Sequence, residues 1–307
     1  MSPSEYIVVG AGLAGAAAAW QLADRGHAVT VVERTAPANG EGSSHGSARI
    51  FRYAYPSALY VGLVVRARSL WDELEQRAAA RLIAPTGAVD FGELRDPAEL
   101  ARILESAGVE HEILRRDEAR ARFPQFAFDT DVLYHPGSGV LDAQRSVEAM
   151  LDLARSTGNA TVRTDWDVAS LSRVPTGGFV ARSATGETVT GAKVVVAAGG
   201  WLPHLLGDLS LPSRFLASFP RLEVRQEQAF HLPWREAGEG GDPFPAWPTF
   251  IHKRAGFQSY GLPGGRDAGF RGQKMAQFNG GRVLPSALDQ DGRIEPGMRE
   301  RIVAYAK

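Results

Sequence analysis

With 307 residues the chain has room for two domains, and hydrophobic and charged shares of 44% and 22% describe an ordinary soluble globular protein rather than a disordered one. A formal net charge of -1 gives no excess that would draw nucleic acid or an anionic membrane, and no apolar run approaches the length of a membrane span. Cysteine is absent, which excludes disulfides, thiolate metal sites and any cysteinyl bond to a cofactor within this chain; a cytoplasmic protein without a metal site is the expectation.

The stretch from Tyr6 to Glu33 is the most informative. It reads as an apolar strand (Ile7, Val8, Val9), a glycine turn (Gly10, Ala11, Gly12, Leu13, Ala14, Gly15), an alanine-rich helix, a stop at Gly26, a second strand from Ala28 to Val32, and the acid Glu33. Gly10 allows the sharp turn, Gly12 lets a pyrophosphate approach bare backbone, and Gly15 lets the helix lie close on its strand. The helix N-terminus offers unpaired N–H groups and a partial positive charge to that pyrophosphate. A carboxylate at Glu33 can accept both ribose hydroxyls of an adenosine and would repel a 2′-phosphate. Glycine turns between strand and helix also occur for packing alone, but here the flanking strands, the stop and the acid at this distance agree.

After Glu33 a polar, glycine-rich connection runs from Thr35 to Ser47, too long for a simple turn and too polar for a core. It leads into Arg49 and Arg52, three apart among Phe51, Tyr53 and Tyr55, which read either as solvated surface charges or, given those neighbours, as buried ones. An amphipathic helix follows, with Leu63, Ala67, Leu70, Trp71 and Leu74 expected in the core. Ala88 to Phe91 is a short strand. Asp96-Pro97-Ala98-Glu99 opens a helix that Gly108 closes, and another helix starts at Asp117 and stops before Pro124. Val132 to His135 is a strand, and Asp142 caps a helix whose inward face is Val147, Met150, Leu151 and Ala154. Short strands around Val162, Val168 and Phe179 to Arg182 precede Val194-Val-Val-Ala-Ala-Gly-Gly-Trp201, expected as a parallel strand covered on both faces. Its glycine pair either admits a ligand at the sheet crevice or makes a tight turn. From Arg221 the pattern changes to alternating strands, Leu222 to Phe230, Thr249 to Lys253, Phe257 to Leu262 and Gln273 to Phe278, with a surface loop over Gly238 to Pro245. Lys274 stands in a strand whose other members look buried, reading either as a lysine that reaches the sheet edge or as a functional charge. Pro296 to Lys307 reads as a helix.

These residues resemble a known family, the flavin amine oxidases around monomeric sarcosine oxidase and N-methyltryptophan oxidase within the D-amino acid oxidase superfamily. The resemblance is carried by the opening glycine motif with Glu33, the Gly42-Ser43-Ser44-His45-Gly46 segment running to Arg49-Ile-Phe-Arg52, the Pro136-Gly-Ser-Gly-Val-Leu141 turn, the Val194 to Trp201 strand, and Tyr260-Gly-Leu-Pro263 followed by Lys274. It implies an α/β fold (α+β taken whole): a Rossmann-like FAD-binding domain over 1–84 and 140–214, and a mostly antiparallel substrate domain over 85–139 and 215–307. FAD, held without a covalent bond, would lie against the Gly10 to Gly15 turn, Glu33, Arg34, Gly42, Ser43, Ser44, Val168, Gly199 and Trp201. Arg49 would sit against the flavin ring, Arg52 would pair with the carboxylate of an amino-acid substrate, Tyr260 would lie at the substrate, and Lys274 would promote reaction with O2 by stabilising the charge of nascent superoxide.

The implied activity is oxidation of a secondary or N-methyl amino acid to an imine with O2 reduced to H2O2, by a monomeric chain with no nucleic-acid or membrane partner. A dehydrogenase serving another acceptor stays open as an alternative. Two departures qualify the resemblance. The family usually has a histidine four residues after the lysine; Phe278 stands there, which implies a bulkier or less polar amine than sarcosine. The family's C-terminal segment, with its second glycine-rich loop and carboxylate-binding lysine, has no counterpart before Lys307. The expectations there are a sequence that continues, or a weakly active or inactive remnant with an unpaired sheet edge.

Overall fold

A computed structural model describes residues 4–175, 177–206, 211–234 and 247–307, so the expected Gly238 to Pro245 loop lies outside the described residues. The chain forms two compact units: 1–46, 143–226 and 282–293 in the first, and 47–142, 227–281 and 294–307 in the second. Among the described residues no helix is long and apolar enough to cross a membrane.

The first unit is built on a six-stranded sheet in the order Val168–Arg173, Phe179–Ser183, Thr188–Val196, Ser4–Val9, Val29–Val32, Ala160–Arg163. The last four strands of that order are parallel, with Ile7 opposite Val194 on one side and Thr30 on the other. The first two pair antiparallel. Alanine's high helix propensity and lack of side-chain bulk explain the Leu13–Asp24 helix, whose buried Ala16, Ala19 and Ala23 let the Ala143–Ser156 helix pack closely through Val147, Met150, Leu151 and Ala154. The first helix stops at Arg25, after which Gly26 takes a φ of +84°. The Val194 to Val196 run is half-buried rather than covered on both faces as expected: beside it Leu171, Phe179, Phe215 and Phe219 line an apolar cavity instead of closing over it.

The second unit holds a seven-stranded sheet in the order Ala229–Leu232, Gln273–Gln277, Phe257–Pro263, Thr249–Arg254, Ala88–Phe91, Val132–His135, Glu112–Leu114. Every pairing is antiparallel except Thr249–Arg254 with Ala88–Phe91. Its core is aromatic, centred on Phe91, Phe128 and Phe250, with the Phe91 and Phe128 rings edge to face at 4.8 Å. A small sheet joins Arg49–Phe51, Gly139–Leu141 and Ile83–Ala84.

Three expectations need correction. Leu222 to Phe230 is not one strand: Val224–Gln226 pairs with Arg282–Leu284 in the first unit, and Ala229–Leu232 pairs with Gln273–Gln277 in the second. The helix over Ala58–Ala78 buries Val61 and Leu74, while Leu63 and Leu70 are 54% and 44% exposed. Part of its inner stripe is polar, because Glu75 Oε1 accepts the Leu82 and Ile83 amides at 2.6 and 2.8 Å and Arg68 donates back to Glu75. The expected domain division also differs from the two units: 47–84 and 140–142 lie in the second, since Arg49–Phe51 pairs with Gly139–Leu141, and 215–226 and 282–293 lie in the first, since Val224–Gln226 pairs with Arg282–Leu284.

Two buried polar clusters stiffen the second unit. In the first, Asp90 and His135 are fully buried; His135 Nε2 donates to Asp90 Oδ2 at 3.1 Å, Arg95 donates to Asp90 Oδ1, and the Ser138 hydroxyl faces His135 Nδ1. In the second, His252, 5% exposed and stacked on Phe91 at 4.3 Å, lies between the Tyr305 hydroxyl at 2.7 Å and Asp129 Oδ2 at 3.2 Å. Burial lowers the His252 pKa from its ordinary 6.5, with Asp129 opposing. The unfolded chain therefore takes up this proton first as pH falls. The stability linked to His252 is complete above 6.5 and is lost as pH falls below it. Urea midpoints at pH 7.5 and 5.5 are expected to differ in the wild type, with the difference reduced in His252→Gln; an equal difference in both would remove His252 as its source.

Candidate functional site

In the first unit a cavity of about 350 Å³ lies beside Val9 and Val32, the last residues of two parallel strands. Gly10 reaches φ +96°, and a Cβ on Gly15 would overlap the Gly10 carbonyl, so this turn admits no side chain at either place. Gly12 is the N-cap of the helix with no side chain capping it, and a Cβ there would stand 2.9 Å from Ser44 Oγ. Ser44 Oγ accepts the Leu13 amide at 3.0 Å, tying the long polar connection to the helix start. Glu33, 8% exposed, accepts the Ala11 amide at 2.7 Å on Oε2, and on Oε1 the Thr35 amide and the Asn39 side-chain amide, both at 3.3 Å. The Arg34 guanidinium lies over the Trp201 ring at 4.7 Å and pairs with Glu41.

Ten of the residues expected from the sequence line this one cavity: Gly10, Gly12, Glu33 and Arg34, then Gly42, Ser43 and Ser44, and across from them Val168, Gly199 and Trp201. Ala11, Leu13, Ala14 and Gly15 shape the turn without lining it. Asn39 and Trp166 also line it and were missed. Asn39 sits in the connection whose length marked it, whereas Trp166 carried no sequence signal. The indole N–H groups of Trp166 and Trp201 are buried without a hydrogen-bond partner. A helix N-terminus with glycine at its N-cap, indole donors, bare glycine backbone and a carboxylate at the strand end together fit an acceptor-rich dinucleotide with ribose hydroxyls.

The remaining candidates lie in the second unit, where strand register gathers them. Lys274 is opposite His231 and Leu262, and Tyr260 is opposite Ala276, so Tyr260, Leu262 and Lys274 share one face of the sheet. Lys274 Nζ donates to the Ala48 carbonyl at 3.2 Å, and Arg49 Nη1 donates to the same oxygen at 2.9 Å. Burial, and then the Arg49 charge, push the Lys274 pKa down to about 8, with Asp267 opposing. Burial, and then Glu227, raise that of the Tyr260 hydroxyl, whose ring lies 4.8 Å from Phe278. Lys253 stands over the other partner of that pair, 4.9 Å from the Phe278 centroid. Arg52 donates to the Ala54 carbonyl at 2.5 Å and covers the Tyr55 ring at 4.1 Å; neither Arg49 nor Arg52 is a solvated surface charge. Sequence reasoning missed Asp267, His231 and Lys253, which sit in a turn or on alternating strands where their partners are set by register alone. Among the described residues no cluster of His, Asp and Glu could hold a metal ion.

One unit has a Rossmann-like sheet with a glycine-lined cavity at its strand ends, and the other has a sheet face with paired cations and aromatics; both are features of flavin-dependent oxidoreductases. The chain belongs to the FAD dependent oxidoreductase family, which it matches over residues 5–306. It is 34% identical over 214 residues to the monomeric sarcosine oxidase of Bacillus sp. (strain B-0618), covering 67% of this chain and 54% of that one. It is 27% identical over 292 residues to the N-methyl-L-tryptophan oxidase of Yersinia pestis (strain Pestoides F), covering 93% of this chain and 73% of that one. The chain thus spans between about half and three quarters of the length of these relatives. In fold it is similar to NikD, an unusual amino acid oxidase essential for nikkomycin biosynthesis, in its open form, with a TM-score of 0.77 at 24% identity, over 98% of this chain and 76% of that one.

Proposed function

We propose that the protein is an FAD-dependent oxidase of secondary or N-methyl amino acids. The observation that carries this reading is the seating of two cations, Arg49 and Lys274, on one backbone carbonyl at a sheet face that also holds Tyr260 and Phe278. Bound FAD would supply the redox chemistry, hydride removal from the carbon beside a neutral amine to leave an imine, with O2 as the final two-electron acceptor giving H2O2. With no cysteine to bond it, the cofactor would be held non-covalently by the Gly10 to Gly15 turn, Glu33 and the Ser44 loop, which are already tied together by the Ala11–Glu33 and Leu13–Ser44 bonds. Arg52 is the residue for the substrate carboxylate, its guanidinium already braced by the Ala54 carbonyl and Tyr55. The Tyr260 and Phe278 rings offer an apolar wall that favours a bulky or aromatic side chain over sarcosine. Lys274 and Arg49 supply the positive charge that stabilises reducing oxygen.

The test is direct. Purified protein is expected to be yellow, to release FAD on denaturation, and to give peroxide from N-methyl aromatic amino acids faster than from sarcosine. A colourless preparation that ignores added FAD would overturn the reading, and peroxide from sarcosine alone would overturn the specificity.

A further inference from the structure

Three hydrogen bonds join residues that lie 220 positions apart in the chain. The Ser47 hydroxyl donates to Asp267 Oδ1 at 2.6 Å, the Ser47 amide donates to Oδ2 at 3.1 Å, and the Asp267 amide donates back to Ser47 Oγ at 2.9 Å. Ser47 is 3% exposed, and Gly265 packs so tightly on the Ser47 backbone that any Cβ there would overlap its carbonyl. The turn carrying Asp267 is therefore fastened to the peptide that enters the Arg49–Phe51 strand. The next carbonyl in that peptide, Ala48 O, is the one that receives both Lys274 and Arg49. Clamp and double-cation acceptor are consecutive residues.

Two cations on one oxygen repel each other, so their seating needs both a fixed acceptor and a nearby negative charge. Arg49 approaches Lys274 from the small three-stranded sheet, His231 is the register partner of Lys274, and Asp267 is the carboxylate whose charge acts on all three. We propose that Asp267 is a positioning residue: through the Ser47 clamp it fixes the Ala48 carbonyl that seats Lys274 beside Arg49, and its carboxylate keeps that lysine charged. What the seated lysine does rests on the oxidase reading; the seating itself does not.

Competitive acetylation of the full chain with acetic anhydride from pH 6.5 to 10, read at Lys274 by peptide mass spectrometry, tests this. The wild type is expected to titrate with a midpoint of about 8. In Asp267→Asn the midpoint should fall, and reactivity at pH 7 relative to the high-pH plateau should rise roughly threefold, a modest change because Asp267 is partly solvated and screened. Asp267→Glu, which restores the charge, should return the midpoint towards 8. Should Asp267→Asn fail to fold by circular dichroism, Ser47→Ala, which loosens the clamp and leaves the carboxylate, should shift the midpoint in the same direction. An unchanged midpoint in either folded variant, or Asp267→Glu behaving as Asp267→Asn, would overturn the proposal. The measurement needs neither FAD nor substrate, so an inactive, colourless preparation defeats the oxidase reading and leaves this result standing.

Discussion

Replacing Lys274 by Met is expected to slow reoxidation by O2 by roughly 10²- to 10³-fold while leaving anaerobic reduction by substrate within about tenfold of the wild type, the size of effect seen when one preorganised electrostatic group is removed from a reacting centre. Methionine keeps roughly the length and volume of the lysine stem opposite Leu262, so what is lost is the charge and its hydrogen bond to the Ala48 carbonyl. The cost falls on the oxygen step because that is where negative charge grows on a small, weakly bound molecule. A second signature separates this from general damage. Because burial and Arg49 hold the Lys274 pKa at about 8, its cation is depleted as pH rises through that value. The wild-type oxygen step should therefore decline above pH 8, and the Lys274→Met step should show no such decline. Stopped-flow mixing of substrate-reduced protein with oxygenated buffer across that range measures both. Reoxidation of Lys274→Met at the wild-type rate would remove the lysine from the reaction and favour an acceptor other than oxygen.

The stretch from Gly10 to Glu33 was legible in the sequence because its signals are local. A glycine turn, a helix start with glycine at its N-cap and an acid after the next strand lie within one short run; in space Gly10 takes a φ of +96°, Gly12 is the N-cap, and the Glu33 carboxylate accepts the Ala11 amide. Trp166 escaped because it reaches the cavity from a connection between two strands far along the chain, its amide bonded to the Glu33 carbonyl at 2.9 Å. The meeting of Arg49 and Lys274 on one carbonyl had no local signal, although Lys274 stood out as a charge in a buried strand. Asp267 and Ser47 are 220 residues apart, and no periodicity marks either one. The helix over Ala58–Ala78 misled for a different reason: apolar spacing fixes that a helix forms, but which stripe turns inward was decided by Glu75 and its bonds to the following strand. Likewise an alternating run from Leu222 to Phe230 could not show that its two halves would join different sheets.

Asp90→Ala is expected to destabilise the second unit by about 3–5 kcal/mol, the usual cost of removing one partner from a buried charge pair and leaving the other without compensation. Asp90 is fully buried and the Arg95 side chain is 6% exposed, so neither water nor a neighbouring turn can take over the lost bonds. His135, equally buried, would lose its Nε2 acceptor at the same time. Burial by itself would raise the Asp90 pKa, but the His135 hydrogen bond and the Arg95 charge outweigh it and hold the carboxyl below its ordinary 3.8. The stability tied to this group is therefore present above that value and is lost as pH falls through the folded one, so the wild type and Asp90→Ala should converge in strong acid. The damage also reaches Arg52, because the Ala54 carbonyl that braces it at 2.5 Å is the second acceptor of Arg95, at 3.3 Å. A milder Asp90→Asn should thus raise KM for an amino-acid substrate more than it lowers kcat, whereas a purely structural loss would lower the amount of active protein and leave KM alone. Urea unfolding followed by tryptophan fluorescence and circular dichroism gives the stability, and Asp90→Ala unfolding at the wild-type midpoint would show that the buried cluster contributes nothing to holding the sheet that carries Lys274 and Tyr260.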